Sequence, residues 1–376
     1  MRRWPLVVAG LAMAVAAVVV LLVSGASEDG GTEPVREGGS RFADGGTTAT
    51  TGTTTAPAAG SNSAALEREA AALFVAGFAS ERGPQRIWGG LLVTDANFTS
   101  DRALRGLVRR EVRSARRARR PVPLVWTDPS TLPGLGPAAQ PTIGAEGTQR
   151  DARTTALRSG RRLSRVGVDA VLAPSADLGA TGTAASERSF GDDAQRTAAF
   201  TFQAVDGWRA AGVLPAPGRF PGEGAASQDP VEGPATVGLS LEELLARDVR
   251  PFAGVAERAP AMQMSAAVYA AWDGVTPATL LPDAVALLRE RLGFRGAVVS
   301  ADLVSVTAAT GGSVGDAAVD ALRAGCDVLL VPGGRAEQDE ALRAVAGAVA
   351  SGRVSRERFR EALARVAALR KVAGVR

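Results

Sequence analysis

The chain contains no histidine. Its absence removes Ser-His-Asp and Cys-His catalysis, because both need an imidazole to carry a proton, and it removes every metal site built on Cys/His ligands. A single cysteine, Cys326, leaves no intramolecular disulfide to form. It lies in Ala324-Gly325-Cys326-Asp327-Val328-Leu329-Leu330, beside an apolar run of strand type, where a small packed thiol is the expectation and not a nucleophile. Aromatic residues make up only 5% while Ala, Gly and Arg abound, a compositional background without functional content. No motif implies a metal or a cofactor. Any catalysis must rest on carboxylates, Lys, Tyr or Arg.

Charge gives little direction. The formal net charge is +4, and the sequence pI of 10.3 reflects arginine without groups that titrate near neutrality, so no nucleic-acid partner is expected. The densest basic run, Arg109 to Arg120, falls on a predicted helix where arginines alternate with Val112, Ala115 and Ala118. A solvated helix face is the plain reading; a docking face is the other. With 376 residues, 46% of them hydrophobic, the chain can bury a sizeable core, either as two average domains or as one large α/β barrel.

Residues 1–25 open with Arg2-Arg3 and continue as a charge-free apolar run from Trp4 to Val23, long enough to span a hydrocarbon core of ~30 Å. Basic residues before the run predict a cytoplasmic start and an exported remainder. A membrane anchor is favoured over a signal peptide cleaved near Ser24-Gly25-Ala26-Ser27, which would make the protein secreted. No cysteine follows to take a lipid. Residues 26–62 are Gly-, Thr-, Ser- and Ala-rich, including Thr47 to Thr55, and read as a flexible linker.

From about Ala64 the pattern alternates β and α. Apolar runs fall at Leu73–Phe78, Leu91–Thr94, Val122–Thr127, Ala170–Ala173, Val213–Ala216, Ala261–Ala266, Ala297–Ser300 and Val328–Val331. Helical stretches such as Asp101–Arg117, Asp192–Ala211, Ser240–Arg258 and Pro282–Leu292 separate most of them. Eight strands with intervening helices predict an α/β fold, a single (β/α)8 TIM-type barrel over residues 63–376. The first two strands are too close for a full helix between them. Chemistry in such barrels gathers where strands end, so the candidates are Asp128, Asp177, the segment Arg219–Asp229, Ala266–Tyr269 and Ala301-Asp302.

Several strand ends resemble glycoside hydrolase family 3, in its β-N-acetylhexosaminidase branch. Ser186-Glu187-Arg188-Ser189-Phe190-Gly191 is similar to the family's Arg-Ser-Phe-Gly loop, whose arginine contacts the sugar. Phe220-Pro221-Gly222-x-Gly224 resembles the Lys-His-Phe-Pro-Gly-His-Gly loop. Leu241-Glu242-Glu243-Leu244 with Arg250-Pro251-Phe252, the run from Pro277 to Ser300, and Ala321 to Asp327 match further segments in the same order. The resemblance covers essentially residues 65–372 and implies fold and ancestry.

The reactive positions that the resemblance points to are vacant. A retaining glycosidase needs a carboxylate at the anomeric carbon and a proton donor on the leaving oxygen. The family's nucleophile position falls on Ala301, and Asp302 is its neighbour. A shift of one residue along a strand turns a side chain to the other face, so Asp302 reads first as a packing or capping residue. The branch's Asp-x-His acid/base falls on Asp229 and Val231, and an aliphatic side chain moves no proton. Glu223 and Glu232 are nearby carboxylates. Asp128, Asp177, Arg188 and Arg219 remain as candidate sugar-binding residues.

Three functions stay open. The first is an exported, membrane-anchored pseudoenzyme that binds cell-wall glycan, such as an N-acetylglucosamine-containing ligand, or an envelope protein. The second is an active retaining β-glycosidase using Asp302 with Asp229, Glu223 or Glu232. The third is a structural or assembly protein of the cell envelope.

Overall fold

A computed structural model describes residues 59–79, 83–84, 86–132 and 140–375. The anchor or signal segment expected at 1–25 and nearly all of the expected linker lie outside the described residues. Among the described residues no helix is long and apolar enough to cross a membrane. The first described helix, Ala59–Ala70, begins just inside the span read as linker.

The eight expected strands are present and parallel. They are β1 (Phe74–Ala76), β2 (Gly90–Val93), β3 (Leu124–Thr127), β4 (Ala170–Val171), β5 (Leu214–Pro215), β6 (Ala261–Gln263), β7 (Ala297–Asp302) and β8 (Val328–Val331). Their order is β5-β4-β3-β2-β1-β8-β7-β6. The chain beyond β5 closes the ring: the Gln263 amide donates to the Pro217 carbonyl (2.9 Å), Phe220 to Gln263 (2.8 Å) and Ser265 to Phe220 (2.8 Å). A strand covered on both faces reads as an unbroken apolar run, and β2, β3 and β8 are buried throughout. The tight start has a local cause. A Cβ at Gly89 would fall 2.0 Å from the Ala72 carbonyl oxygen, so only glycine lets β2 come this close.

Helices pack around the ring. Asp101–Arg117 forms as expected, with the Ser100 side chain accepting from the Ala103 amide. Gln149–Val166 starts on a reciprocal Thr148/Asp151 cap and stops at Gly167, whose φ is 96°. Two expectations need correction. The stretch Ser240–Arg258 is not one helix but two short ones, Leu241–Ala246 and Arg250–Ala253. Asp248 and Val249 turn inward and are buried between them, and Pro251 suits only the first turn of a helix because it has no amide to donate. Pro282–Leu292 changes from an α-helix to a wider π-helical turn over Leu287–Arg291.

That wider turn belongs to the barrel's base. Arg289 donates to the carbonyls of Phe294 (3.1 Å) and Gly296 (2.6 Å) and to Asp327 (2.6 Å). The fully buried Asp327 also takes Arg358 (2.7 Å), Arg365 (3.2 Å) and the Val298 amide (2.9 Å). Cys326 next to it is buried, and burial pushes its thiol up to about 12, in keeping with a packing role. Removing one partner of a buried charge network leaves the others uncompensated. Asp327→Ala is therefore expected to lose about 3–5 kcal/mol of stability in denaturant unfolding; a loss under about 1 kcal/mol would show that solvent, not Asp327, compensates the three arginines.

Candidate functional site

The loop after β5 is fixed by packing before any polar contact. Phe220 is fully buried and meets Phe252 edge-on at 5.3 Å between ring centroids. The following turn threads between Asp248 and Leu178. Gly222 has a φ of 124°, and a Cβ on Gly224 would lie 2.3 Å from the Leu178 carbonyl oxygen. The Tyr269 hydroxyl, from a two-stranded ribbon of Thr236–Val237 and Val268–Tyr269, donates to the Gly222 carbonyl at 2.9 Å. Backbone clearance and core packing thus account for Phe-Pro-Gly-x-Gly here.

The polar centre is built on Arg188. Its Nε donates to Asp177 (3.1 Å), one terminal nitrogen to Glu223 (3.0 Å) and the other to Asp229 (2.8 Å). The three carboxylates come from the ends of β4 and β5 and from the loop beyond. Arg219 stands behind, 3.6 Å from Asp177 and 3.5 Å from Glu223. The Glu223 amide donates to the other Asp177 oxygen (2.8 Å). Its carboxylate accepts from the Ser265 hydroxyl (2.8 Å) and the Ala266 amide (3.3 Å).

Burial is the largest influence on the Glu223 carboxyl and raises it to about 7. The Asp177 charge adds to the rise, while Arg219, Arg188 and the Ser265 hydrogen bond oppose it. Burial works against the Arg219 charge, but Glu223, Asp177, Asp128 and Asp229 outweigh it and hold that guanidinium above its ordinary value. Asp248 is buried under the loop with no hydrogen-bond partner for either oxygen among the described residues. Burial raises it to about 6, with Asp177 adding and Arg247 opposing.

A cavity of about 330 Å³ opens beside this cluster, with Asp128, Gln140, Ser175, Arg188, Arg219 and Gln263 in its wall. That is the low end for small-molecule sites, which start on the order of 300 Å³. Of the expected sugar-binding residues, Asp128, Arg188 and Arg219 line it, while Asp177 lies fully buried beneath the two arginines. One Asp128 oxygen is held by the Ser130 amide (2.9 Å) and hydroxyl (2.6 Å).

The residues considered for catalysis are spread out. Asp302 caps the helix Leu303–Thr310, accepting from the Val304 and Ser305 amides (2.8 and 3.2 Å) and the Ser305 hydroxyl (2.8 Å). Its partners all belong to its own helix. Burial raises its carboxyl, against those hydrogen bonds. Ala301 is 4% exposed, and its amide donates to the Thr279 hydroxyl (3.0 Å). Neither residue lines the cavity. Val231 is 70% exposed and Glu232 is also on the surface. Sequence reasoning missed Ser265, Gln140, Gln263 and Asp248. Ser265 and Gln263 carried a usable signal, a polar residue at the end of an apolar strand run. Asp248 was hidden inside the stretch read as one helix.

Eight parallel strands with a polar cluster and a cavity at their C-terminal ends define an α/β barrel with its site in the usual place for enzymes of this architecture. The family follows from comparison: residues 84–369 match the glycosyl hydrolase family 3 N terminal domain, and the chain belongs to that family, in its β-hexosaminidase-like branch. A β-hexosaminidase of Stenotrophomonas maltophilia (strain R551-3) is 39% identical over 183 residues, 48% of this chain and 54% of that protein. The chain thus spans about half the length of the curated relatives it matches. Among solved structures, a family 3 β-N-acetylglucosaminidase from Paenibacillus sp. str. FPU-7 superposes with a TM-score of 0.78 at 28% identity, covering 82% of this chain and 63% of that one. A β-N-acetylhexosaminidase from Beutenbergia cavernae DSM 12333 gives 0.71 at 25% identity, covering 82% and 98%.

The raised carboxyl fixes the sign of a pH effect. Between the ordinary 4.5 and about 7, the folded protein keeps a proton on Glu223 that the unfolded chain has released, so stability falls as pH rises through that window. Asp248 and Asp169, both raised to about 6 by burial, act in the same direction. Glu223→Gln should lose less Tm than the wild type between about pH 5 and about pH 8. An equal Tm gap between the two proteins at both ends of the range would mean Glu223 does not titrate there.

Proposed function

We propose that this family 3 barrel binds N-acetylhexosamine-containing glycan without hydrolysing it, as an exported protein tethered to a membrane by residues 1–25. The reading is carried by one observation: the carboxylates considered for catalysis at Glu223, Asp229 and Asp302 are each already engaged by the protein. Glu223 and Asp229 hold Arg188, and Asp302 is spent on a helix cap. A retaining hydrolase needs two carboxyl groups ~5–5.5 Å apart across the scissile bond, and Ala301 and Val231 occupy the positions where the resemblance puts the family's nucleophile and histidine. The names of the related β-hexosaminidases support an amino-sugar ligand, and the cavity's size supports a single ring.

One feature favours a working hydrolase. A carboxyl that still holds its proton near neutrality is what a general acid requires, and Glu223 is such a group. Against this, its side chain is fully buried and does not line the cavity.

The two readings separate in one set of measurements. The wild type is expected to show no turnover of an aryl N-acetylglucosaminide above buffer, and to bind chitooligosaccharides in the millimolar range by calorimetry. Asp128→Ala should weaken that binding at least about fivefold while leaving Tm unchanged, as for loss of a charge-assisted hydrogen bond. Turnover that disappears in Glu223→Gln or Asp302→Ala would establish the hydrolase, and no heat of binding in the wild type would remove the glycan.

A further inference from the structure

The charge of this chain is segregated. Residues 101–120 and 149–166 hold fifteen of the 43 basic residues and three of the 39 acidic ones, so these two segments carry +12 and the rest of the chain −8. A compositional bias toward arginine would spread the excess along the chain. The fold brings the two segments together: the helices Asp101–Arg117 and Gln149–Val166 follow the paired strands β2 and β3. They share a core through Leu104, Leu107, Leu163 and Val166, and Val108 lies over Gly167.

On the outer side the arginines fall into two rows. Arg102, Arg105, Arg109, Arg113 and Arg116 recur at three- and four-residue spacing and are all exposed. On the second helix Arg150, Arg158, Arg161 and Arg165 are exposed at spacings of eight, three and four residues. None of these nine has an ion-pair partner among the described residues, whose ion pairs all lie elsewhere. Like charges at this spacing repel along a helix.

We propose that this two-helix face docks on an anionic lipid surface. The basic side chains are all arginine, whose planar fork matches phosphate oxygens two at a time. The rows run the length of 17-residue and 18-residue helices, about 25 Å each at 1.5 Å per residue, and present a broad outer face of exposed arginines. A free phosphate would ask for a pocket. A single-stranded nucleic acid would ask for stacking side chains between the charges, and neither segment contains an aromatic residue. A sheet of lipid phosphates asks only for the charge.

The test uses the full chain in vesicles of phosphatidylcholine alone or with phosphatidylglycerol, with phenylglyoxal labelling of individual arginines read by mass spectrometry. Labelling of both rows should fall at least about fivefold when phosphatidylglycerol is present, and return in about 0.5 M salt as screening shortens the field. Arg353, exposed just past the helix Arg335–Ser351 and outside both rows, should label equally in both. Combined Arg109→Glu, Arg113→Glu, Arg158→Glu and Arg161→Glu should abolish the protection of Arg105 and Arg165. Equal labelling of the wild-type rows in both vesicles overturns the proposal without any variant. So does protection by duplex DNA at matched phosphate that exceeds protection by phosphatidylglycerol.

Discussion

Arg188 holds together stretches of chain that the barrel strands alone leave apart. Its guanidinium reaches the end of β4 through Asp177, the loop after β5 through Glu223, and the next loop through Asp229. Two of those carboxylates have fully buried side chains, and the arginine's charge and hydrogen bonds offset part of the cost of that burial. The Glu223 amide donating to Asp177 ties the same cluster to the backbone. Once this is in place, the loop's course, the cavity wall and the orientation of Arg219 all follow.

Such an arrangement is coherent as structure. Among the described residues the two oxygens of Asp248, shut beneath Gly222 and Gly224, are buried polar atoms of this region without a hydrogen-bond partner. The resemblance to family 3 places histidines on either side of Phe-Pro-Gly, where this chain has Arg219 and Glu223. The two replacements face each other as an ion pair, so the exchange is compensated locally.

The fold was legible because each barrel strand is an apolar run on its own, readable without knowing its neighbours. The caps and turn glycines were legible for the same reason: Ser100, Thr148 and Gly167 act within a few residues of themselves. Asp248 shows where this stops. Its surroundings read as helix, and only contact with a distant glycine loop explains why the chain turns inward there. The site was half legible. Asp128, Arg188 and Arg219 sit at strand ends or in a family-like motif, but the three-way grip of Arg188 joins residues 11, 35 and 41 positions away, and no local pattern encodes those partners. Asp302 was legible as a cap from its position at the end of an apolar strand before a helix.

The environment of Ala301 sets what that position can accept. Its methyl group is 4% exposed, off the cavity wall, with its amide committed to Thr279. A carboxylate placed there would enter a space shaped for a methyl group, and position 231 would offer it only the side chain of Val231. A carboxylate at position 301 is therefore disfavoured by packing unless the residues around the methyl group shift with it.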